Sequence, residues 1–228
     1  MNIDWNNLGI EYMDTKCHVR HTYKNGQWDS GELVSDPYLN LHIGATSLHY
    51  GQACFEGLKA FKGEDGKVRI FRPDENSKRM NSSARRTLMQ EVPEDIFIAA
   101  VKRAVKENEE YIPPYESGGA LYIRPLLIGS SPRIGIQPSE EYTFIVLVIP
   151  VGNYYKGGLK PVDGIIIDGY DRSAPGGTGN VKVAGNYAAS LEPGKIAKEK
   201  GYPINLYLDS REHKYIDEFG TSNFIAIK

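Results

Sequence analysis

The sequence predicts an α+β protein of two domains, and three observations carry that prediction. Hairpin signals, amphipathic helices and short apolar strands follow one another without regular strand–helix alternation, which argues against a doubly wound parallel sheet. After Pro150 the composition changes abruptly to Gly152-Asn153-Tyr154-Tyr155-Lys156-Gly157-Gly158, which reads as an interdomain linker. At 228 residues and 40% hydrophobic content the chain can bury a real core, as one large or two modest domains. The expected division is residues 1–150, a linker over 151–158, and a second domain over 159–228.

The elements follow in order. Lys24-Asn25-Gly26-Gln27 contains the Asn-Gly pair of a tight primed turn, and Gly63-Glu64-Asp65-Gly66-Lys67 joins two apolar runs, predicting strands over 58–61 and 68–71. Pro73 sits where a helix begins. Asp74 and Glu75 place negative charge in its first turn, and Met80, Ala84 and Leu88 recur every four residues on one face. A second helix follows Pro93, with Phe97, Val101, Ala104 and Val105 sharing a face above a charged back that runs to Glu110. Residues 120–127 and 142–149 read as strands, separated by a loop over 129–136. Beyond the linker, 165–167 reads as a buried strand, a loop carrying Lys182 leads to a helix over 184–200, and 205–208 and 224–227 read as strands. There are no repeats or low-complexity segments.

Composition excludes several functions. Net charge is −2, with 27 basic and 29 acidic residues interspersed, so there is no electrostatic footprint for nucleic acid or an anionic membrane. Cys17 and Cys54 are the only cysteines, far apart and without metal-ligand spacing, so free thiols in a cytoplasmic protein are expected and no metal site is. The start of the chain has neither a basic segment nor an apolar run, and no stretch approaches the roughly 20 apolar residues of a membrane span.

The richest chemistry lies in Gly176-Gly177-Thr178-Gly179-Asn180-Val181-Lys182-Val183-Ala184-Gly185-Asn186-Tyr187. A lysine among small residues is accessible to a flat phosphorylated aldehyde, and once desolvated it can act as a Schiff-base lysine. The competing reading is a solvated lysine in a surface loop, and the segment by itself does not choose between them. A P-loop is excluded, because the Gly-Lys-Ser/Thr ending is absent.

Four further blocks accompany it: 49–61 (His49-Tyr50-Gly51-Gln52-Ala53-Cys54-Phe55-Glu56-Gly57-Leu58-Lys59-Ala60-Phe61), Phe71-Arg72-Pro73 with Lys78-Arg79-Met80, Leu121-Tyr122-Ile123-Arg124-Pro125, and Asp217-Glu218-Phe219-Gly220-Thr221-Ser222-Asn223. In order and in kind, the five blocks resemble the branched-chain amino acid aminotransferases, which are class IV pyridoxal-phosphate enzymes. The resemblance implies a small N-terminal α/β domain, then a larger domain on a barrel-like sheet, with pyridoxal 5′-phosphate between them. It also implies that the sequence stops short of the family's C-terminal part, which would hold further strands and part of the phosphate and substrate cradle.

Residue by residue, the resemblance makes Lys182 the catalytic amine and Glu218 the carboxylate facing the cofactor's ring nitrogen. Thr221 lies beside the ring, Arg79 binds the phosphate, and Tyr187 contacts the phenolic oxygen. Phe55, Tyr50 and Tyr122 match substrate-pocket positions, with Arg124 polar at the pocket's edge. Tyr50 and the loop carrying Ile134 and Ile136 reach into the partner subunit's site in the family, which implies a homodimer. The implied reaction exchanges the amino group of leucine, isoleucine or valine with 2-oxoglutarate, because apolar walls discriminate weakly between side chains differing by one methylene. Two alternatives stand beside it: another class IV activity, D-amino acid transaminase or aminodeoxychorismate lyase, and a non-catalytic binding protein.

Overall fold

The computed structural model describes residues 3–152 and 160–228, so most of the linker expected over 151–158 lies outside the described residues. The chain divides into two compact units, Met1–Gly158 and Leu159–Lys228. Helix and strand are mixed in both, as the expected α+β class requires.

In chain order the first unit contains β1 (His18–Lys24), β2 (Gln27–Trp28), β3 (Glu32–Val34), α1 (Thr46–Tyr50), β4 (Ala53–Phe55), β5 (Leu58–Lys62), β6 (Val68–Ile70), α2 (Pro73–Arg86), α3 (Glu94–Glu107), β7 (Ala120–Gly129) and β8 (Tyr142–Val151). The strands form one antiparallel sheet in the order β2-β1-β8-β7-β5-β6, with β3 also on β1 and β4 also on β7. Asn25 and Gly26 both adopt positive φ, 53° and 83°, which is the primed turn their sequence predicts. Pro150 does not end a strand: it lies opposite Leu121 inside β8, which runs on to Val151.

α2 and α3 cover one face of the sheet. Met80 and Ala84 of α2 and Phe97, Val101 and Ala104 of α3 are fully buried, as are Leu121, Ile123, Phe144 and Val146 beneath them. Phe97 stacks on Phe144 with ring centroids 5.8 Å apart. Burial of each of the larger side chains among them stabilises the fold by about 1.5–3 kcal/mol.

Leu88 departs from the helix face its spacing suggested. α2 ends at Arg86, and Leu88 adopts φ 51° and is 69% exposed. The Leu88 N–H reaches the Arg85 carbonyl and the Met89 N–H the Ala84 carbonyl, a Schellman closure in which Met89 supplies the buried contact. The second helix ends at Glu107, short of the expected Glu110, and a single 3-10 turn follows at Glu109–Tyr111.

One irregularity in this sheet matters for the site. The pairs Phe55↔Leu126 and Leu58↔Ile123 share one register, so β4 and β5 form a single line interrupted at Glu56 and Gly57, opposite Pro125 and Arg124. Pro125 has no N–H to complete the ladder there, and its carbonyl accepts the Glu56 N–H at 2.8 Å. Alternation turns Cys54, Glu56, Leu58 and Ala60 to the buried face. It leaves Phe55, Gly57, Tyr122 and Arg124 on the other.

The second unit contains β9 (Gly164–Ile166), α4 (Ala184–Ala188), α5 (Leu191–Glu199), β10 (Ile204–Leu208) and β11 (Ile216–Phe219). β10 is central, parallel to β9 and antiparallel to β11. The single helix expected over 184–200 is two helices. Pro193 has no N–H, and its ring would clash with the Ala189 carbonyl in a continuous helix, so the chain breaks between Ala188 and Leu191. The strand expected over 224–227 is absent: Phe224, Ile225 and Ile227 are exposed and join no ladder among the described residues.

The connection into β11 is organised by Asp209. Its Oδ1 accepts the Lys214 and Tyr215 N–H groups at 2.9 and 2.7 Å, and its Oδ2 accepts those of Glu212 and Arg211 at 2.8 and 3.3 Å. These backbone donors, Tyr215 foremost, hold the carboxyl well below the usual carboxylate range. A depressed folded-state pKa stabilises this turn above the unfolded aspartate value of about 4, and the stabilisation is lost as pH falls from there toward the lowered native value. Amide protection factors of Lys214 and Tyr215 are therefore expected to fall with acidification below about pH 4, and Asp209→Asn to show low protection at neutral pH already. Protection unaffected by the substitution would contradict this account.

Candidate active site

Lys182 is held by its neighbours in sequence. Val181 and Val183 are both buried, so the extended chain turns the lysine between them the other way, and its side chain is half-buried. Asn186, in the first turn of α4, clamps the loop from behind: its Nδ2 donates to the Thr178 and Val181 carbonyls at 2.7 and 2.9 Å, and its Oδ1 accepts the Thr178 hydroxyl at 2.6 Å. Gly179 is required by close packing, since a Cβ there would lie 2.2 Å from the Ser173 hydroxyl. Both anchors leave the Lys182 amine aimed at a neighbouring phenol: Nζ donates to the Tyr187 hydroxyl at 2.6 Å.

Arg172 connects this pair to Glu218. Its guanidinium lies 5.6 Å from the Tyr187 ring centroid, and Nη2 lies 3.5 Å from the Glu218 carboxylate. The Arg172 side chain is 7% exposed and Glu218 41%. A buried cation is costly without partners, yet Nε and Nη1 of Arg172 have none among the described residues. Two donors of a buried guanidinium are thus available to an acceptor from elsewhere, in the cluster that holds Lys182, Tyr187 and Glu218. An anionic, oxygen-rich ligand fits that donor set. Thr221 follows the end of β11 in an exposed bend.

In the first unit, Phe55, Tyr122 and Arg124 form a second cluster. The Arg124 guanidinium lies 4.6 Å from the Phe55 centroid and donates through Nε and Nη2 to the Tyr122 hydroxyl at 3.2 and 3.0 Å. Gly57 admits this arrangement, because a Cβ there would be 2.5 Å from the same hydroxyl. The result is an aromatic wall with a fixed cation at its edge. Tyr50 lies elsewhere in the unit, and its hydroxyl donates to the Ile134 carbonyl.

Arg79 is bound to Glu56. Its Nε and Nη2 donate to the two carboxylate oxygens at 2.6 and 2.7 Å, Asn76 Nδ2 adds a third bond at 2.7 Å, and the Gly57 N–H a fourth at 3.3 Å. Glu56 is fully buried, whereas the Arg79 side chain is 55% exposed. Removing Arg79 would leave a buried carboxylate short of its cation, at a cost below the roughly 3–5 kcal/mol of a fully buried pair because the arginine is half-exposed. The adjacent Cys54 thiol is pushed up to about 12, first by burial and then by the Glu56 carboxylate, so it stays protonated.

The five sequence blocks therefore supply two local clusters and a paired arginine. Arg172 and Glu56 received no role from sequence. A charged residue at the inward parity of the alternating run Cys54-Phe55-Glu56-Gly57-Leu58 signals a buried partner, and that signal was available for Glu56. Arg172 lies ten residues before Lys182, in no periodic element, and carries no comparable signal.

Comparison with known proteins places the chain. Residues 53–228 match the class IV amino-transferase family, and the chain belongs to it. That class is an enzyme family dependent on pyridoxal phosphate. Within it the chain goes with the branched-chain-amino-acid aminotransferases. It is 49% identical over 227 residues to the enzyme of that name from Helicobacter pylori, and 48% identical over 231 residues to the one from Haemophilus influenzae. Each alignment covers 99% of this chain and 67% of the relative. Among solved structures, the branched-chain amino acid aminotransferase of Escherichia coli superposes with a TM-score of 0.70 at 26% identity, covering 88% of this chain and 62% of that one. A Thermus thermophilus counterpart, solved with pyridoxamine 5′-phosphate, shares the fold with a TM-score of 0.73 at 24% identity, over 90% and 63% of the two chains. The chain thus spans about two thirds of the relatives' length or slightly less.

Proposed function

We propose that the protein carries out pyridoxal-phosphate-dependent transamination of branched-chain L-amino acids, leucine, isoleucine and valine, with 2-oxoglutarate as amino acceptor. The observation that carries this reading is the 2.6 Å contact between Lys182 Nζ and the Tyr187 hydroxyl, linked through Arg172 to Glu218 within one unit. Bound pyridoxal 5′-phosphate supplies an electron sink for the pair left when a substrate Cα–H bond breaks. The protein's own residues do the rest. Lys182 Nζ would carry the proton between the substrate Cα and the cofactor, and Tyr187 would orient that amine through its hydroxyl. Glu218 would keep the cofactor's ring nitrogen protonated, Arg79 would bind its phosphate, and Thr221 would lie beside its ring.

Phe55 and Tyr122 provide apolar surface for an aliphatic side chain, which offers shape and area but no hydrogen bonds, and Tyr50, apart from them in this unit, would join such a wall across a dimer. Arg124 supplies a cation for the second carboxylate of 2-oxoglutarate. The exposed apolar residues Ile43, Leu48, Ile134 and Ile136, beside Tyr50, support a homodimer in which a second copy covers them. Free Cys17 and Cys54 support a cytoplasmic location. Among the described residues no helix is long and apolar enough to cross a membrane.

An amino-donor panel tests the substrate class. Leucine, isoleucine and valine are all expected to serve, valine differing from the other two by no more than the roughly 10–200-fold that one methylene discriminates. Exclusive use of D-alanine would overturn the branched-chain reading.

A further inference from the structure

We propose that Glu56 is a positioning residue: its buried carboxylate grips one edge of the Arg79 guanidinium and so aims the opposite edge at the cofactor phosphate. The inference rests on the reading of Arg79 as the phosphate ligand and assigns a role to a residue outside that reading.

Three observations point to it. Glu56 is a fully buried acid in a line of apolar residues, at the interruption between β4 and β5 where Pro125 takes its backbone N–H. Its carboxylate is bonded by three groups from two parts of the fold: the Arg79 guanidinium and the Asn76 amide of α2, and the Gly57 N–H of the strand break. Arg79 is half-exposed, so the pair has one end in the core and the other at the surface. A surface arginine rotates freely about four torsions, and a ligand that binds it must first order it. The two bonds of 2.6 and 2.7 Å use two of the five N–H donors, both on the Nε edge, and fix the plane of the other edge. Asn76, donating at 2.7 Å, keeps the carboxylate from turning. Arg79 and Asn76 are three apart on α2 and so face the same way.

Positioning and plain electrostatics have opposite signs here. A carboxylate close to a phosphate repels it, so if Glu56 acted only through its charge, neutralising it would tighten phosphate binding. If it acts by holding the guanidinium, neutralising it loosens phosphate binding and leaves the rest of the cofactor's contacts alone.

The experiment titrates the full chain with pyridoxal 5′-phosphate and, separately, with pyridoxal, which lacks the phosphate, and takes the ratio of the two affinities. Folding is followed by circular dichroism. Glu56→Gln is expected to lower the ratio about tenfold, the equivalent of one charge-assisted bond's worth of affinity, with pyridoxal affinity unchanged. An unchanged or raised ratio overturns the proposal. Arg79→Lys reports on the underlying reading. If the wild-type protein shows no preference for the phosphorylated form, or Arg79→Lys leaves the preference intact, Arg79 is not the phosphate ligand and the role of Glu56 falls with it. If Arg79→Lys lowers the ratio and Glu56→Gln does not, only the positioning role is lost. Should Glu56→Gln fail to fold, Asn76→Ala takes its place, with a fall of about threefold expected for loss of one supporting hydrogen bond, and an unchanged ratio again overturning the proposal.

Discussion

Lys182→Ala removes transamination, lowering turnover by at least about 10⁴-fold, the scale on which loss of a nucleophile that is also the proton carrier is felt. Structural disturbance is expected to be small. Lys182 is half-buried, its neighbours Val181 and Val183 supply the packing, and the loop is held by Asn186. Thermal stability without cofactor should therefore stay close to wild type, while borohydride should no longer fix the cofactor at this position. The phenol of Tyr187 loses its 2.6 Å partner in the variant, and Tyr187→Phe offers a graded companion. It keeps the ring that faces Arg172 and removes only the hydroxyl, so activity should fall far less than for Lys182→Ala. A Lys182→Ala protein with substantial activity would mean that the reacting amine lies elsewhere.

Glu218→Gln is expected to give the second largest loss, about 10²–10³-fold in turnover, comparable to removing one preorganised charge-stabilising group. The substitution keeps size and shape while removing the charge. Glu218 lies 3.5 Å from a guanidinium that is 7% exposed, and this carboxylate is the acidic partner of Arg172 among the described residues. Loss of the charge is therefore expected to reduce stability as well, discounted because Glu218 itself is 41% exposed. Comparing Glu218→Gln with Arg172→Leu separates the two effects. If Glu218 acts on the cofactor directly, Arg172→Leu should retain more activity than Glu218→Gln despite its comparable loss of stability. Activity of Glu218→Gln within about threefold of wild type, well below the effect of a charge-stabilising group, would place the carboxylate outside the reacting centre.

Much of this is legible in the sequence. Pro73, the acids after it and the spacing of Met80 and Ala84 define α2, and the Asn25-Gly26 turn has the positive φ angles its residues demand. These are local signals, set by residues within one turn of one another. What sequence did not show depends on partners distant in the chain or on a single competing residue. Leu88 has the right spacing for the helix face, but the chain closes into a left-handed residue there and Met89 takes the buried place. Pro193 divides a segment whose apolar content reads as continuous. Residues 224–227 have strand composition, yet a strand exists only through a neighbour's hydrogen bonds.

The site follows the same division. Lys182 and Tyr187 are five residues apart, and their contact is a product of one loop and the first turn of one helix. Arg172 reaches them from a segment with no periodic pattern, and its link to Glu218 spans 46 residues of chain, so neither could be read from spacing. The pairing of Glu56 with Arg79 crosses from strand to helix, and composition alone shows an ordinary acid and one of several helical cations.

The central claim is that the Lys182 amine bonds covalently to the cofactor. Borohydride reduction of the pyridoxal-phosphate-loaded protein, followed by peptide mapping in a mass spectrometer, addresses it directly. A phosphopyridoxyl group on Lys182 is the predicted result, and a modification confined to any other lysine, with Lys182 recovered intact, would contradict it.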